Sequence, residues 1–145
     1  MPTIYSIDPR LILIDTSDLN VKLILNEDMF RRTVEPPHAL SKDQLRFISP
    51  EELLRERRSK STVFWNIGVM MYEAHFKKNP FETSFTDKVI VKLIQKYPVL
   101  FPINMMQANL PELNDCIGEL MNKDPTKRLG SESFYREVLD FIFFQ

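Results

Sequence analysis

The residues best equipped to grip a phosphate group or an acidic surface lie together in Arg55-Glu56-Arg57-Arg58-Ser59-Lys60, four cations within six positions. Guanidinium groups present forked donors that match phosphate and carboxylate oxygens. One Glu interrupts the run, and the plainer reading is a solvated turn between two helices. A second basic stripe, Lys88, Lys92 and Lys96, recurs every four residues, so on a helix all three share one face. That face can meet an acidic partner or simply water. Arg55, Arg57, Arg58, Lys88 and Lys92 are the candidate partner-binding residues. Other chemistries have little to build on. Gly68, Gly118 and Gly130 are the only glycines and stand far apart, so neither G-x-G-x-x-G nor G-x-x-x-x-G-K can be assembled. Two histidines (His38 and His75) and one cysteine (Cys116) make a His/Cys zinc site a poor expectation and an intramolecular disulfide impossible.

These residues sit in a chain of 145, enough for one domain around one core. With 43% hydrophobic and 27% charged residues, the composition is that of an ordinary globular protein. The net charge of −1 provides no global field for nucleic acid or an anionic membrane. No stretch approaches the ~18 apolar residues of a membrane span, and the first residues show no basic leader. The expectation is an intracellular, cytoplasmic protein without membrane insertion.

The elements that must position the candidates read as follows. Short apolar runs at 11–14 and 20–25, separated by DTSDL, predict a β-hairpin. The polar, Pro-containing stretch 26–46 predicts a long irregular loop, which carries Thr33 and Ser41 near Arg31 and Arg32. Pro50 opens a short helix predicted over 50–57. VFWNIGVMMYEAHF predicts a helix apolar on nearly every side, capped by Ser61 or Thr62 and ended by Asn79-Pro80. Phe85, Val89, Leu93 and Tyr97 mark the expected buried face of the next helix, and Leu113, Ile117, Leu120 and Met121 that of the one after. Cys116 beside that face predicts a buried, inert thiol. A last helix is predicted over 131–144.

The order of these pieces resembles the C-terminal lobe of a eukaryotic protein kinase. Ser49-Pro50-Glu51 is similar to the A-P-E that closes the activation segment. VFWNIGVMMYE is similar to D-x-W-S-x-G-V-x-x-Y-E, with Trp65, Gly68, Tyr72 and Glu73 in place, and KKNPFE resembles the G-x-x-P-F that follows. MNKDPTKRLGS resembles L-x-x-D-P-x-x-R-L-G-x of the AGC branch, where a terminal H-P-F-F corresponds to FIFF here. These motifs run in the family's order over 49–144. The implied fold class is mainly α: a protein kinase C-lobe-like helical subdomain with a short β-hairpin at its N-terminal end. The implied division is a catalytic-loop and hairpin remnant (1–27), an activation-segment-like loop (28–51) and a helical subdomain (52–145).

The resemblance also assigns residues. Glu51 and Arg128 match the family's buried structural ion pair. Upstream, IYSIDPRLILID and NVKLILNE stand where the family has H-R-D-L-K-P-x-N-I-L-L-D and V-K-L-x-D-F-G. Ser6 falls at the catalytic Asp, Leu11 at the metal-binding Asn, and Leu25 at the Asp of D-F-G. Leucine offers no oxygen to a hard cation, and Ser is a poor base at neutral pH. Val63 replaces the Asp that tethers the catalytic-loop backbone. The expectation is therefore a degenerate pseudokinase that is no enzyme, holds no cofactor or metal, and works as an interaction or scaffolding subunit. Its completion is expected from a partner chain or from further parts of the same protein, because nothing here matches the family's N-lobe. On that count, Phe64, Trp65, Ile67, Met70 and Met71 are expected to form an exposed strip needing cover. Two alternatives stay open: an allosteric regulator of an active kinase, and the C-terminal part of a Ser/Thr kinase with residual phosphotransfer.

Overall fold

In the computed structural model the described residues are 2–33, 45–82, 86–102, 110–131 and 136. The two apolar runs near the start pair as an antiparallel hairpin, β1 (Ile12–Ile14) and β2 (Val21–Leu23), with Leu13 opposite Lys22. Its turn is built by short acidic side chains. Asp15 Oδ1 accepts from the Ser17 amide (2.9 Å) and hydroxyl, and Asp18 Oδ1 accepts from the Asn20 amide (3.0 Å), which is how Asp commonly closes a turn. Single 3₁₀ turns flank the hairpin at Pro9–Leu11 and Glu27–Phe30, each capped by the residue before it, Asp8 and Asn26.

Among the described residues, helix α1 (Pro50–Leu53) begins with a capping box in which Ser49 and Glu52 exchange hydrogen bonds. It ends sooner than the sequence predicts. Arg55 takes a left-handed backbone (φ 61°) and the Glu56 amide folds back to the Glu51 carbonyl, so the helix stops and 56–59 connect it to α2 without regular structure.

Helix α2 (Thr62–Phe76) is the centre of the domain, and Lys77 in the left-handed region (φ 57°) closes it. Trp65, Val69, Tyr72 and Phe76 meet Phe81, Ile90, Ile94, Leu113, Ile117 and Met121 in one core. The expected exposed strip does not form: Phe64 and Trp65 are buried, and Ile67, Met70 and Met71 are half-buried. Cys116 and Leu120 cover Phe64, and Gly130 lies against its ring. Among the described residues six of the exposed large apolar side chains lie instead on the hairpin or just after it: Leu13, Ile14, Leu19, Val21, Ile24 and Leu25.

Helix α3 (Asp87–Lys96) buries Ile90 and Ile94. The expected face was one residue out of register: Val89 and Leu93 are only half-buried and Tyr97 is exposed. Helix α4 (Pro111–Leu120) buries Leu113, Cys116, Ile117 and Leu120 against α2, with Met121 just beyond. The α2–α4 approach is so close at Gly68 that an added Cβ would stand 2.6 Å from the Met121 side chain. Gly130 combines φ 90° with a Cβ position 2.5 Å from the Phe64 ring, so glycine is required there on two counts. The architecture is mainly helical with one two-stranded hairpin, compatible with a kinase C-lobe fragment. Among the described residues no helix is long and apolar enough to cross a membrane. The predicted helix over 131–144, Phe85, Ser41 and His38 lie outside the described residues, apart from Ser131 and Arg136.

Candidate functional site

Arg128 lies in the turn after α4 and Glu51 in the first turn of α1. Arg128 Nη1 and Nη2 donate to the two carboxylate oxygens at 2.8 and 2.9 Å, with both side chains almost fully buried. The Thr62 hydroxyl donates to Glu51 Oε1 (2.9 Å), while Arg128 also donates to the Ser61 and Asn122 carbonyls. Burial alone would raise the Glu51 carboxyl. The Arg128 hydrogen bonds and charge, helped by Thr62, outweigh it and hold the carboxyl below the usual range.

A second buried pair lies beside α1. Arg58 is 5% exposed, and its Nε donates to Glu52 Oε1 at 2.7 Å. Its Nη1 donates to the Asp28 carbonyl (2.9 Å) and both terminal nitrogens approach Asp28 Oδ2 at 3.3 Å. The Arg58 amide also donates to the Arg32 carbonyl (2.8 Å). One arginine thus joins residues 28–32 to Glu52 in α1. This corrects its place among the partner-facing cations, because its donors are spent inside the fold. Arg55, Arg57, Lys88 and Lys92 are exposed, as a docking role requires.

The loop that resembles a catalytic loop is fixed from outside. Asn66, on α2 and 2% exposed, accepts the Ile7 amide at Oδ1 (3.0 Å) and donates from Nδ2 to the Phe47 carbonyl (2.9 Å). The Tyr5 amide donates to the Met29 carbonyl (2.7 Å). Val63 is buried and supplies no tether, but one polar residue three positions on does. The sequence carried a signal for this: an Asn inside an otherwise apolar helix must find partners when buried.

Ser6 and Leu11 are half-buried and Leu25 is exposed. Of these three only Ser6 has an oxygen to offer. Asp8 is held in a fork by Arg10, whose hydrogen bonds lower its carboxyl below the usual range. The donor set at these positions does not fit a hard divalent cation. Among the described residues no three His, Cys, Asp or Glu side chains gather as metal ligands. Cys116 is fully buried, and burial pushes its thiol up to about 11, far from the thiolate that reactivity needs.

The hairpin at the start and the Glu51–Arg128 pair, which ties α1 to the turn after α4, are compatible with a kinase C-lobe fragment. Comparison with known proteins agrees. Protein kinase PINOID 2 of Oryza sativa subsp. japonica is 31% identical over 121 residues, 77% of this chain and 24% of that protein. Protein kinase C-like 2 of Schizosaccharomyces pombe is 31% identical over 85 residues, 59% of this chain and 8% of that protein. Serine/threonine-protein kinase ULK3 of Xenopus laevis is 27% identical over 104 residues, 72% of this chain and 22% of that protein. No protein-family model matches the chain. The chain spans a quarter or less of the length of these relatives. They correct one expectation, that the chain is no enzyme: every relative named is a protein kinase, which points to a kinase family.

Proposed function

We propose that this chain is a kinase-type C-lobe whose contribution is protein contact. The parts would be a catalytic-loop and hairpin remnant (1–27), an activation-segment-like loop (28–51) and a helical subdomain (52–145). The observation that carries the reading is the hairpin. Leu13, Ile14, Leu19, Val21, Ile24 and Leu25 expose large apolar side chains within thirteen residues, more than a freely solvated hairpin tolerates. Ser6, Leu11 and Leu25, at positions where the family carries its hydroxyl-orienting and metal-binding groups, support a degenerate catalytic loop. Arg55, Arg57, Lys88 and Lys92 add exposed cations for a partner's acidic surface.

The second reading is phosphotransfer to Ser or Thr within a longer kinase polypeptide. The names of the relatives favour it. Size exclusion and thermal unfolding of the whole chain, with and without Mg-ATP, separate the two. The contact reading expects self-association that Leu13→Lys with Val21→Lys abolishes, and no nucleotide effect. A cooperative monomer whose Tm rises with Mg-ATP would overturn it in favour of phosphotransfer.

A further inference from the structure

The outer faces of α3 and α4 carry opposite charge. On α3, Lys88, Lys92 and Lys96 are exposed on the side turned away from the buried Ile90 and Ile94. On α4, Glu112, Asp115 and Glu119 are exposed on the side turned away from Leu113, Cys116, Ile117 and Leu120. Steps of three and four residues keep each trio in one row. At 1.5 Å per residue the cations span about 12 Å and the anions about 10 Å, so the rows match in length.

Each row repels itself, because like charges three or four residues apart destabilise a helix. Among the described residues none of these six side chains has an ion-pair partner to relieve it.

Gly118 is an independent mark on the same outer side of α4, three residues after Asp115. Glycine weakens a helix interior, and the chain itself gives no reason for it here: a Cβ would meet nothing within 4 Å. Gly68 and Gly130, by contrast, are each pressed against a neighbour. A bare backbone on an outer face leaves room for another chain to approach closely.

The ends of the two rows fix the direction. Tyr97 and Leu100 follow Lys96 and are exposed, and Leu110, just before α4, is exposed as well. With α3 antiparallel to α4, Lys96 faces Glu112, Lys92 faces Asp115 and Lys88 faces Glu119. The apolar side chains then meet at one end, and the helix dipoles oppose. A parallel arrangement would leave Tyr97 and Leu100 at the opposite end from Leu110.

We propose that α3 of one copy docks antiparallel on α4 of a second copy of this chain, a contact that rests on the contact reading for its α3 cations and is independent of the hairpin. A second copy carries the complement in sign, row length and apolar end. The contact joins unlike surfaces. Exposed ion pairs are weak and screened by salt, so it is read by capture at high concentration and does not survive the dilution of size exclusion.

The test is zero-length carbodiimide cross-linking, which joins an amine to a carboxyl it touches, on an equal mixture of isotope-labelled and unlabelled whole chain. It is run at about 0.01 M and about 1 M salt, between which the screening length falls from about 30 Å to about 3 Å. The expected products at low salt are mixed-isotope peptides joining Lys96 to Glu112, Lys92 to Asp115 and Lys88 to Glu119, about tenfold fewer at high salt. The triple variant Glu112→Lys, Asp115→Lys, Glu119→Lys should lose them about tenfold or more, and so should Lys88→Glu, Lys92→Glu, Lys96→Glu. Mixing the two variants should restore cross-links between unlike chains. Leu13→Lys with Val21→Lys should leave the cross-links of the parent chain in place. Failure of the hairpin association with these cross-links kept would therefore sink the hairpin alone. Cross-links confined to one isotope form, indifferent to salt, unrestored by mixing, or lost with the hairpin variant overturn the proposal.

Discussion

Arg128 grips both oxygens of Glu51, at 2.8 and 2.9 Å, across 77 residues of chain and out of reach of water. That bond ties the end of the activation-segment-like stretch to the turn after α4. Removing one partner strands the other charge in the interior, at a cost of about 3–5 kcal/mol. Arg128→Met and Glu51→Gln should each lose stability on this scale in urea unfolding, and Glu51→Leu with Arg128→Met should recover part of the loss. If the double variant is as unstable as the two losses added together, the pair is not the source. The acid limb follows from the lowered Glu51 carboxyl. Its contribution is fully present above the unfolded value near 4.5 and is lost as pH falls through the lower folded value. The single variants should therefore flatten the stability profile below pH 4.5.

Arg57 and Arg58 are neighbours with opposite fates. Arg57 is exposed, while Arg58 is buried against Glu52 and the Asp28 carbonyl. Arg58→Ala should cost about 3 kcal/mol, because it leaves Glu52 charged and buried without its partner. Arg57→Ala should stay within about 0.5 kcal/mol, as surface changes usually do. Thermal unfolding of the two variants side by side decides this. Equal Tm values would place Arg58 back among the surface cations.

This contrast shows how far the sequence could be read. Motif order located the Glu51–Arg128 pair: Arg128 stands inside the long MNKDPTKRLGS match, and Glu51 ends a three-residue match at the expected place before it. Periodicity placed α4 and its buried face correctly, Cys116 included. It missed the face of α3 because Val89, Ile90, Val91, Leu93 and Ile94 leave two overlapping apolar stripes, and packing chose Ile90 and Ile94. It overextended α1 because nothing in LLRER announces a left-handed Arg55. Arg58 was unreadable from its surroundings: its side-chain partners lie 6 and 30 residues away, and a basic run looks solvated until the fold turns one member inward. The exposed strip on α2 was misplaced because Phe64 finds cover from residues more than fifty positions downstream.

Asn66 gives the loop around Ser6 its anchor. Asn66→Ala would leave the Ile7 amide and the Phe47 carbonyl without partners, at a cost of about 1–3 kcal/mol. Hydrogen exchange at the Ile7 amide should accelerate well beyond the global change. Asn66→Asp keeps the acceptor and loses the donor, so it should preserve Ile7 protection while still lowering stability. Unchanged Ile7 exchange in the Ala variant would mean the loop is held by the Tyr5–Met29 backbone contact alone.

Above neutrality two buried groups pull stability in opposite directions. Lys123 has a folded value of about 8 against 10.5, so between these the unfolded chain binds more protons and stability rises with pH. Cys116 has a folded value of about 11 against 9.0, so above pH 9 the unfolded chain gives up a proton that the folded chain keeps, and stability falls. The whole chain should gain up to about 0.5 kcal/mol between pH 8 and 9, after the opposing Cys116 term and a discount for the partial exposure of Lys123. It should then level off as the two slopes cancel. Above pH 10 it should decline, with Tyr72, whose phenol burial also raises, adding to the fall. Cys116→Ala should extend the rise toward pH 10. Lys123→Met should remove it and leave only the decline. Urea midpoints measured every half unit from pH 7 to 11 separate the three curves, and a Lys123→Met profile that still rises between 8 and 9 would show that the amine beside Trp65 and Phe81 is an ordinary one.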